Sequence, residues 1–591
     1  MRNIIIVNLY STGANFIGDI VRRNYNPIVL EMAPDESGAS DELIEEYESG
    51  ISSAYNSIDE SFEIIHEKDT YEETLKMIKK LDPVLVLPGA ELGVELASKL
   101  AYDLDLYPNP IESLPAMTQK SEMQNALKNA GIRSIEGKVV YSVEEALDYY
   151  DESGFDEVVV KPIRGAASIG VSICSNKDEL SEAVKNTFAE TDTRNWCANS
   201  LKAIESENSP NENNNYDDNN GFGLVVQERI KGTEYIVNTV SSNGKHRVVS
   251  IWGYKKVKTS ENHYIYQSVE AIDELDISQA KMVEYAYQVA DAIGVKYGPI
   301  HGEYMIDENG PVLIEVNCRP CGASMNTEFL DSIFGQHETD SILDAYLNPK
   351  RFDKLRQKRY EIFSYGAVKF FIVPQDIEAK SRPIERIASK LESHYKTSLP
   401  NIDNSQFFPK TDDLETNGGL IYLNHKDKSV IQNDLDYLNT VESYAFSQVI
   451  SSGLDKKQKK ETENLSNVRE LLTEQINEVL GDVLLITDNP IEHDRIYNCP
   501  INEIENAPND FDVVIIDLDE SLVGKLDADI SQLIVDILSK IKVGGLVFIP
   551  ENTYQYIGGE RNGAEALVKI LNLKIEVPPQ NIENTIIASK N

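Results

Sequence analysis

Short apolar runs alternate with amphipathic stretches of helical spacing along the first 115 residues of the chain. The apolar runs cover residues 4–9, 27–30 and 83–87. Short buried strands that alternate with helices are typical of βαβ units, so this pattern predicts a parallel sheet. The turn at residues 11–14 reads Ser-Thr-Gly-Ala and lacks the three glycines of a dinucleotide-binding loop, so we infer no NAD site there.

The pattern becomes mixed after residue 116. It predicts helices at 121–130 and 178–188, and strands at 158–161, 224–228, 235–241 and 247–254. Residues 198–221 interrupt this region with runs of Asn and Asp and with almost no large apolar side chain. That composition indicates a solvated insertion.

Three further apolar runs near the end of the chain, at 482–486, 511–517 and 545–549, predict a second Rossmann-like unit. At 591 residues the chain is too long for one hydrophobic core, and the fold class is predicted as multidomain α/β and α+β. The predicted segments are a Rossmann-like domain at 1–115, a mixed domain at 116–350, an α+β subdomain at 351–455, a linker at 456–470 and the second Rossmann-like domain at 471–591.

Composition narrows the classes of partner. The formal charge is −42, from 98 acidic against 56 basic residues, so most of the surface would repel a phosphate backbone and nucleic acid is not expected. No apolar run approaches the roughly 20 residues that span a bilayer, so no membrane partner is expected either. The five cysteines are sparse and irregularly spaced, which fits a reducing compartment and predicts a cytoplasmic protein.

The first chemical signal is a strand that ends in a lysine before a loop of small residues. The predicted strand 158–161 ends at Lys161, and the loop that follows it contains Gly165, Ser168 and Gly170. Bare backbone amides in such a loop can approach phosphate oxygens closely. The alternative interpretation is an ordinary strand with a hairpin loop.

Two later segments add polar groups of the kind that bind a nucleotide and its metal. Gln227 and Glu228 end a strand that could offer main-chain groups to an adenine edge. Further on, two predicted strands form a hairpin in which Glu303 faces Glu315, with Asn317 two residues on along the same face. Two carboxylates and an amide oxygen are ligands that suit Mg²⁺ beside phosphates. The alternative is an exposed hairpin with a wet acidic face.

Taken in order and spacing, these segments resemble the ATP-grasp fold over roughly residues 1–350. Three segments are similar to bacterial L-amino-acid ligases, which make dipeptides: the run 89–97, the run Gly232-Thr233-Glu234, and the motif Glu315-Val-Asn317 with Arg319 two residues later. By this resemblance 1–115 would be the domain that precedes the ATP-grasp domain, and 351–455 would be its C-terminal subdomain.

The resemblance also implies roles for individual residues. Lys120 and Lys161 would hold the α and β phosphates, and the loop 163–170 would close over the β and γ phosphates. Arg319 would stabilise charge on the transferring phosphoryl group. Residues implied at the adenine and ribose pocket are Gln227, Glu228, Ile230 and Glu234, and those implied at the metal are Glu303, Glu315 and Asn317.

The implied activity is an ATP- and Mg²⁺-dependent ligase, with Mn²⁺ also able to serve. A small carboxylate, expected to be an amino acid, would become an acyl-phosphate and then react with an amine to give an amide or dipeptide. No protein nucleophile is needed, because the protein contributes alignment and charge neutralisation in a site that excludes water. A homodimer is the default expectation for assembly.

Some signals stay open on the sequence alone. Cys318 and Cys321 have redox or zinc spacing, but they are interpreted as packing residues, and His301 is either a substrate contact or a satisfied strand histidine. Residues 471–591 resemble a degenerate class I methyltransferase that lacks the glycine-rich turn for S-adenosylmethionine. A ligase-methyltransferase fusion and a non-catalytic nucleotide-binding scaffold are therefore the alternative functions.

Overall fold

The structure is a computed structural model of the chain. The described residues are 1–32, 41–164, 170–191, 223–258, 264–273, 277–322, 325–373, 377–378, 388, 391–398, 407–411, 416–451, 483–486, 496–499, 507–508, 511–516, 540–550, 573–575 and 585–590. The chain forms two compact units, Met1–Tyr254 with Glu270–Tyr365, and Lys255–Val269 with Gly366–Asn591. Among the described helices, none combines the length and apolar character needed to cross a membrane.

The first unit begins with the predicted parallel sheet. Its strands β1 to β4 are Asn3–Val7, Asn26–Glu31, Glu63–His66 and Pro83–Pro88, in the order β3-β2-β1-β4. The helices α1 to α4 are Asn15–Arg22, Asp41–Asn56, Tyr71–Lys80 and Val94–Asp103. Ile4, Ile5 and Ile6 are all fully buried because β1 is covered on both faces, which explains its continuous apolar run.

The turns that follow β1 and β4 touch each other. They form the short 3₁₀ helices Ser11–Ala14 and Glu91–Gly93. A Cβ atom on Gly13 would lie 2.1 Å from the carbonyl oxygen of Gly89, so only glycine permits this approach. In open α/β sheets the ligand crevice lies at the carboxyl ends of the strands where strand order reverses, and β1 and β4 meet at that point here.

A small antiparallel sheet carries the lysine strand. Its strands β5 to β8 are Gly137–Val140, Val158–Pro162, Ser172–Cys174 and Leu224–Glu228, in the order β5-β8-β6-β7. The helices α5 to α8 are Leu114–Thr118, Lys120–Asn129, Val143–Ser153 and Lys177–Thr191, and a 3₁₀ turn at Ile111–Ser113 precedes them. Helix α8 packs against this sheet through Leu180 and Val184, which are fully buried.

The hairpin predicted to hold the metal belongs to a larger antiparallel sheet. In the first unit its strands follow the order β13-β12-β9-β10, with bounds Gly310–Asn317, Gly298–Asp307, Thr233–Ser242 and Lys245–Lys258. Helices α9 to α12 are Ile277–Ala292, Thr327–Phe334, Glu338–Leu347 and Pro349–Arg356. Met282 and Val289 of α9 pack on Leu313 and Val316 of β13, so one face of the hairpin is core.

The second unit contains further sheet strands. Strands Tyr264–Ala271 (β11), Tyr365–Phe370 (β14), His394–Ser398 (β16) and Leu420–His425 (β18) pair in the order β11-β14-β18-β16, while Ile377–Glu378 (β15) pairs with Phe407–Phe408 (β17). Helix α13 is Lys428–Ser451. Its Glu442 accepts a hydrogen bond of 2.8 Å from the fully buried ammonium group of Lys369 on β14.

The last sheet of the chain contains both parallel and antiparallel pairs. Its strands β19 to β24 are Val483–Ile486, Ile496–Cys499, Phe511–Ile516, Ile541–Pro550, Leu573–Ile575 and Thr585–Lys590. The order is β20-β19-β21-β22-β24-β23, in which β24 runs antiparallel to both of its neighbours. The resemblance to a degenerate methyltransferase stays a prediction, because the turn after β19 lies outside the described residues.

The predicted fold class is confirmed, and the predicted strands and helices recur within a few residues. The main difference is β10, which runs four residues past the predicted end at residue 254. The predicted insertion 198–221 and the predicted linker 456–470 lie outside the described residues. The domain boundaries drawn from sequence stay predictions.

A buried polar cluster joins α1 to the start of α11. Asp19 is fully buried and accepts hydrogen bonds from Nε2 of His337 at 3.0 Å and from the hydroxyl of Thr339 at 2.6 Å. Nδ1 of His337 contacts Asp331 at 2.8 Å, so both ring nitrogens face carboxylates. Burial opposes charge on this ring, but the hydrogen bonds to Asp19 and Asp331 outweigh burial and raise the pKa of His337 to about 9.

We expect Asp19→Ala to lower the free energy of unfolding of the first unit by about 3–5 kcal/mol, because Nε2 of the buried imidazolium and the hydroxyl of Thr339 both lose their acceptor. The raised pKa stabilises the fold below the ordinary histidine pKa of 6.5, and this contribution is lost as pH rises through about 9. Melting temperatures of wild type and variant should therefore converge between pH 6.5 and pH 9. The control is Asp331→Asn. Because the side chain of Asp331 is 46% exposed, this substitution should lower the free energy of unfolding by under about 1 kcal/mol. Equal losses in both variants would contradict this account.

Candidate active site

The acidic hairpin has the register that the sequence predicts. Glu303 on β12 pairs directly with Glu315 on β13, and His301 pairs with Asn317. Both glutamates are partly buried, and Asn317 and His301 are almost fully buried. Because α9 covers the other face, these polar side chains project from a hairpin whose position is fixed by core packing.

Two lysines from separate elements lie against the hairpin. The ammonium nitrogen of Lys120, at the start of α6, is 3.3 Å from Oε2 of Glu315, and its backbone N–H donates to the carbonyl of Ile163 at 3.0 Å. The ammonium group of Lys161, on β6, donates to the carbonyl of Ile314 at 3.4 Å. Glu315 therefore has cationic neighbours from both α6 and β6.

Lys161 is 3% exposed, and this burial decides its protonation. Burial lowers the pKa of Lys161 to about 8, since it outweighs the attraction of Glu315 and Glu303 and adds to the repulsion of Lys120. An incoming anion such as a phosphate would favour the charged ammonium form. A second anionic group beside Lys161 would therefore stabilise its ammonium form.

Arg319 joins the hairpin to the turn after β4. Its Nε donates to Oε2 of Glu91 at 3.0 Å, and its Nη1 donates to the carbonyl of Pro320 at 3.0 Å. Burial raises the pKa of Glu91, and the charge of Glu315 acts in the same direction, while Arg319 and Lys120 act against it. The side chain of Arg319 is 12% exposed, so one end of a largely buried cation remains reachable.

The orientation of the Asn317 amide bears on metal binding. When its nitrogen faces Glu91, it donates to both carboxylate oxygens at 3.1 and 2.9 Å. Its oxygen then lies on the side of Glu315, whose Oε1 is 3.3 Å from that amide position. An amide oxygen and a carboxylate oxygen this close repel each other unless a cation lies between them.

The donor set fits a magnesium ion that shares its ligands with phosphates. Glu303, Glu315 and Asn317 supply two carboxylates and one amide oxygen, and Mg²⁺ is usually held by one or two carboxylates with waters and substrate phosphates. Within the described ranges, no cluster of three His, Cys, Asp or Glu side chains has the geometry of a closed metal site.

The structure locates most of the remaining predicted residues on the small sheet and its edge. Gln227 is buried on β8 and lies opposite Val159, while Glu228 is half-buried and its N–H donates to the carbonyl of Glu136 at 2.9 Å. Ile230 and Glu234 are half-buried after β8 and at the start of β9. Gly170 has a left-handed φ of 68°. Gly165 and Ser168 lie outside the described residues.

Cys318 and Cys321 flank Arg319 in the sequence, and His301 lies on the neighbouring strand β12. Cys318 is buried in the hydrophobic core under the hairpin, and both Cys318 and Cys321 are free thiols. His301 places Nδ1 2.8 Å from Oδ1 of Asn238 and Nε2 3.7 Å from Glu303. Burial alone would lower the pKa of His301, but Cys321 and Glu303 raise it to about 10.

Sequence reasoning missed two acidic residues of this region. Glu91 lies in the run 89–97 that resembles the amino-acid ligases, but the sequence assigns it no role, because an acidic residue at the start of a helix is common. Glu338 begins α11 and accepts the N–H of Cys321 at 3.0 Å. No spacing rule connects Glu338 to the hairpin, because only the chain's path brings them together.

Comparisons with known proteins agree with this arrangement. Residues 155–328 match the family described as ATP-grasp domain. Dapdiamide A synthase of Enterobacter agglomerans is 25% identical over 332 residues, which cover 55% of this chain and 71% of that protein. D-alanine–D-alanine ligase of Halalkalibacterium halodurans is 23% identical over 264 residues, which cover 43% of this chain and 77% of that protein.

A solved structure shares the fold over a longer stretch. The crystal structure of L-amino acid ligase from Bacillus licheniformis has a TM-score of 0.53 and 15% sequence identity, and the likeness covers 74% of this chain and 97% of that one. At this identity the likeness concerns the fold alone.

We expect Arg319→Met to lower the free energy of unfolding by about 1–3 kcal/mol, because the carboxylate of Glu91, which is 26% exposed, loses its hydrogen-bonded cation. Adding Glu91→Gln should restore part of that loss, since the amide needs no counter-charge. Denaturant midpoints of the two single variants and the double variant give the coupling free energy.

The matched control for this cycle is Lys99→Met with Asp103→Asn, a more exposed helical pair with an N–O distance of 3.3 Å. Its coupling should stay below about 1 kcal/mol. A coupling as small between Arg319 and Glu91 would show that these two side chains are not electrostatically linked.

Proposed function

We propose that this chain, whose residues 155–328 match the ATP-grasp domain family, is an ATP- and Mg²⁺-dependent carboxylate–amine ligase. In this proposal it activates a small carboxylate as an acyl-phosphate and joins it to an amine, releasing ADP and phosphate. The observation that carries the proposal is the pairing of Glu303 with Glu315 on a rigid hairpin that Lys120, Lys161 and Arg319 surround.

The lysines support a phosphate-binding role. Lys120 and Lys161 reach the hairpin from α6 and β6, and both are nearly fully buried. Two buried ammonium groups in one place repel each other, and anionic phosphate oxygens would relieve that repulsion as well as satisfy their donors. In the proposal they hold the α and β phosphates, and the loop 163–170 covers the β and γ phosphates.

The nucleoside end would lie along β8 and its continuation. In the proposal Gln227, Glu228 and Ile230 line the adenine and ribose pocket, with Glu234 at its margin. The half-buried state of Glu228, Ile230 and Glu234 supports this, because such residues are placed to be covered by a ligand.

Glu303, Glu315 and Asn317 are proposed as the magnesium ligands, and Mn²⁺ would suit the same oxygen donors. When bound, the ion would neutralise charge on the phosphate oxygens and help to orient the terminal phosphoryl group. Lys120 would then exchange part of its contact with Glu315 for a phosphate oxygen.

The chemistry proceeds in two steps. A carboxylate oxygen of the acid attacks the γ-phosphorus, the bond to the β–γ bridging oxygen breaks, and ADP leaves as the acyl-phosphate forms. A neutral amine then attacks the acyl carbon, phosphate leaves, and the amine loses a proton to give the amide. Arg319 is proposed to balance charge on the phosphoryl oxygens in both steps, because its guanidinium is fixed by Glu91 beside the hairpin.

An amino acid is the proposed acid. The support is the similarity to D-alanine–D-alanine ligase and to L-amino acid ligase, whose names state that they act on amino acids. The chain is also similar to dapdiamide A synthase, which is named for an amide product. A cytoplasmic location and a homodimer are carried forward as proposals from composition and from the usual symmetry of soluble enzymes.

The test is phosphate release from MgATP in the presence of pooled amino acids, with coupled products identified by mass spectrometry. Wild type should release phosphate in an amino-acid-dependent manner and form a new amide. We expect Glu315→Ala to lower the rate by at least about 10²-fold, because it removes a ligand that positions charge in the transition state.

The matched control is Glu308→Ala, which removes an exposed glutamate from the turn of the same hairpin. It should keep the wild-type rate. If no amino-acid pool stimulates phosphate release, the amino-acid assignment is wrong, and the same assay with other carboxylates then tests the ligase reaction itself.

A further inference from the structure

The acidic hairpin contains a β-bulge directly before Glu315. Glu303 and Tyr304 are neighbours on β12, but their partners on β13 are Glu315 and Leu313, so Ile314 has no counterpart on β12. An extra residue on one strand of an antiparallel pair defines a β-bulge, and bulges beside active sites turn a side chain toward a different face.

The bulge decides which way Glu315 points. Side chains alternate along a regular strand, so Glu315 would there lie on the same face as Leu313, two residues earlier. That face is core, because Leu313 is fully buried in the same hydrophobic cluster as Met282 of α9. Beyond the bulge Val316 takes the core position, and Glu315 lies opposite Glu303. Without the bulge, the carboxylate of Glu315 would face the core and not Glu303.

The bulge lies on the edge strand of its sheet, so its backbone needs partners other than a strand. Buried side chains supply them. The N–H of Leu313 donates to the hydroxyl of Tyr285 at 3.1 Å, and the carbonyl of Leu313 accepts from Nε2 of Gln124 at 3.0 Å. The carbonyl of Ile314 accepts from the ammonium group of Lys161 at 3.4 Å. Three backbone groups of the bulge are therefore bound by side chains from α9, α6 and β6.

Gln124 and Tyr285 are themselves held by the segment that leads into β5. The hydroxyl of Tyr285 donates to the carbonyl of Arg133 at 2.5 Å, and Oε1 of Gln124 accepts the N–H of Ile135 at 2.8 Å. Both side chains are buried. Burial raises the pKa of Tyr285 to about 12, so its hydroxyl keeps the proton that it donates. Neither side chain can turn away without breaking two buried hydrogen bonds at once.

We propose that Gln124 and Tyr285 are positioning residues for Glu315. By binding both backbone polar groups of Leu313 they hold the bulge, and the bulge aims the carboxylate of Glu315 at the metal–nucleotide complex. They act through the backbone. This inference rests on the proposed function, in which Glu315 is a magnesium ligand. Groups that orient a metal ligand in this way typically contribute about 10- to 100-fold to metal affinity.

Gln124 has a second route to the site, through the helix that carries Lys120. The two residues are four apart on α6 and lie on one helix face, one turn from each other. The ammonium group of Lys120 is 3.3 Å from Glu315, so the bond from Gln124 to Leu313 fixes α6 against β13 close to that contact. Tyr285 lies on α9 and holds the bulge alone, which makes it the cleaner position to test.

The test measures metal binding without turnover. Binding of Mn²⁺ to the complex of the full chain with ADP is followed by electron paramagnetic resonance, which distinguishes free, ADP-bound and protein-bound ion. We expect Tyr285→Phe to weaken Mn²⁺ binding by about 10-fold, because the N–H of Leu313 loses its acceptor and Glu315 is no longer held in place. The affinity for metal-free ADP, measured by calorimetry, should stay as in wild type, because the bulge holds a metal ligand and no nucleotide contact.

Phenylalanine keeps the ring of Tyr285, which packs edge-to-face on Tyr304 with 6.1 Å between the ring centroids. Gln124→Met is the second variant. It should weaken Mn²⁺ binding by at least as much as Tyr285→Phe, and it should also weaken binding of metal-free ADP, because Lys120 loses its anchor.

The matched control is Arg133→Gln, which cuts a contact between the same segment and the turn of the same hairpin. The guanidinium of Arg133 donates to both carboxylate oxygens of Asp307 at 2.8 and 2.6 Å and to the carbonyl of Gly310 at 2.6 Å. The substitution leaves the backbone carbonyl that Tyr285 binds. It should lower the melting temperature at least as much as Tyr285→Phe does, but leave Mn²⁺ affinity unchanged.

The outcomes separate this inference from the proposed function. Unchanged Mn²⁺ affinity in Tyr285→Phe and Gln124→Met, or an equal loss in Arg133→Gln, overturns the inference and leaves the ligase standing. If the wild-type complex with ADP binds no Mn²⁺, the proposed metal site fails and the inference fails with it. If the two variants lose Mn²⁺ affinity as expected but no carboxylate stimulates phosphate release in wild type, the inference holds and the proposed ligase reaction fails.

Discussion

Two carboxylates held opposite each other on a packed hairpin are the constraint around which the first unit is organised. Glu303 and Glu315 cannot move apart, because their strands are paired residue by residue and α9 covers the opposite face. Partly buried like charges are unfavourable unless cations compensate them. Lys120, Lys161 and Arg319 come from three separate elements to this one place, and their positive charges compensate the two carboxylates.

The side chains that compensate the two carboxylates are themselves held in place by hydrogen bonds to further groups. Arg319 is oriented by Glu91, and Glu91 is positioned by the turn after β4, which can approach the turn after β1 only because residue 13 is glycine. On the other side, Asp19 anchors the N-terminus of α11 through His337 and Thr339. These buried contacts leave little freedom for the side chains that face the ligand, and preorganisation of this kind is what charge stabilisation in a transition state requires.

Much of the candidate site was predictable because its signals are local. A lysine at a strand end and acidic residues at matched positions of a hairpin follow from periodicity two and from turn chemistry, and the register of Glu303 with Glu315 is confirmed. Glu91 and Glu338 were not predictable in the same way. Each lies in a helical stretch that resembles many others, and each becomes part of the site only through contact with residues 228 and 17 positions away in sequence. The roles of the lysines and of the hairpin residues are proposals, which the phosphate-release experiment addresses.

The sequence by itself determined the alternation of strands and helices, the parallel and mixed sheets, and the order of the lysine strand, the acidic hairpin and the arginine. These features depend on the spacing of apolar side chains and on turn residues, which act over a few positions and are visible in one dimension. Only the tertiary structure decided which charges are paired, which are buried, and which side chains hold the backbone of the bulge before Glu315. Burial and pairing depend on the distances between elements remote in sequence, and the cost of an unpaired charge depends on the surroundings that those elements create.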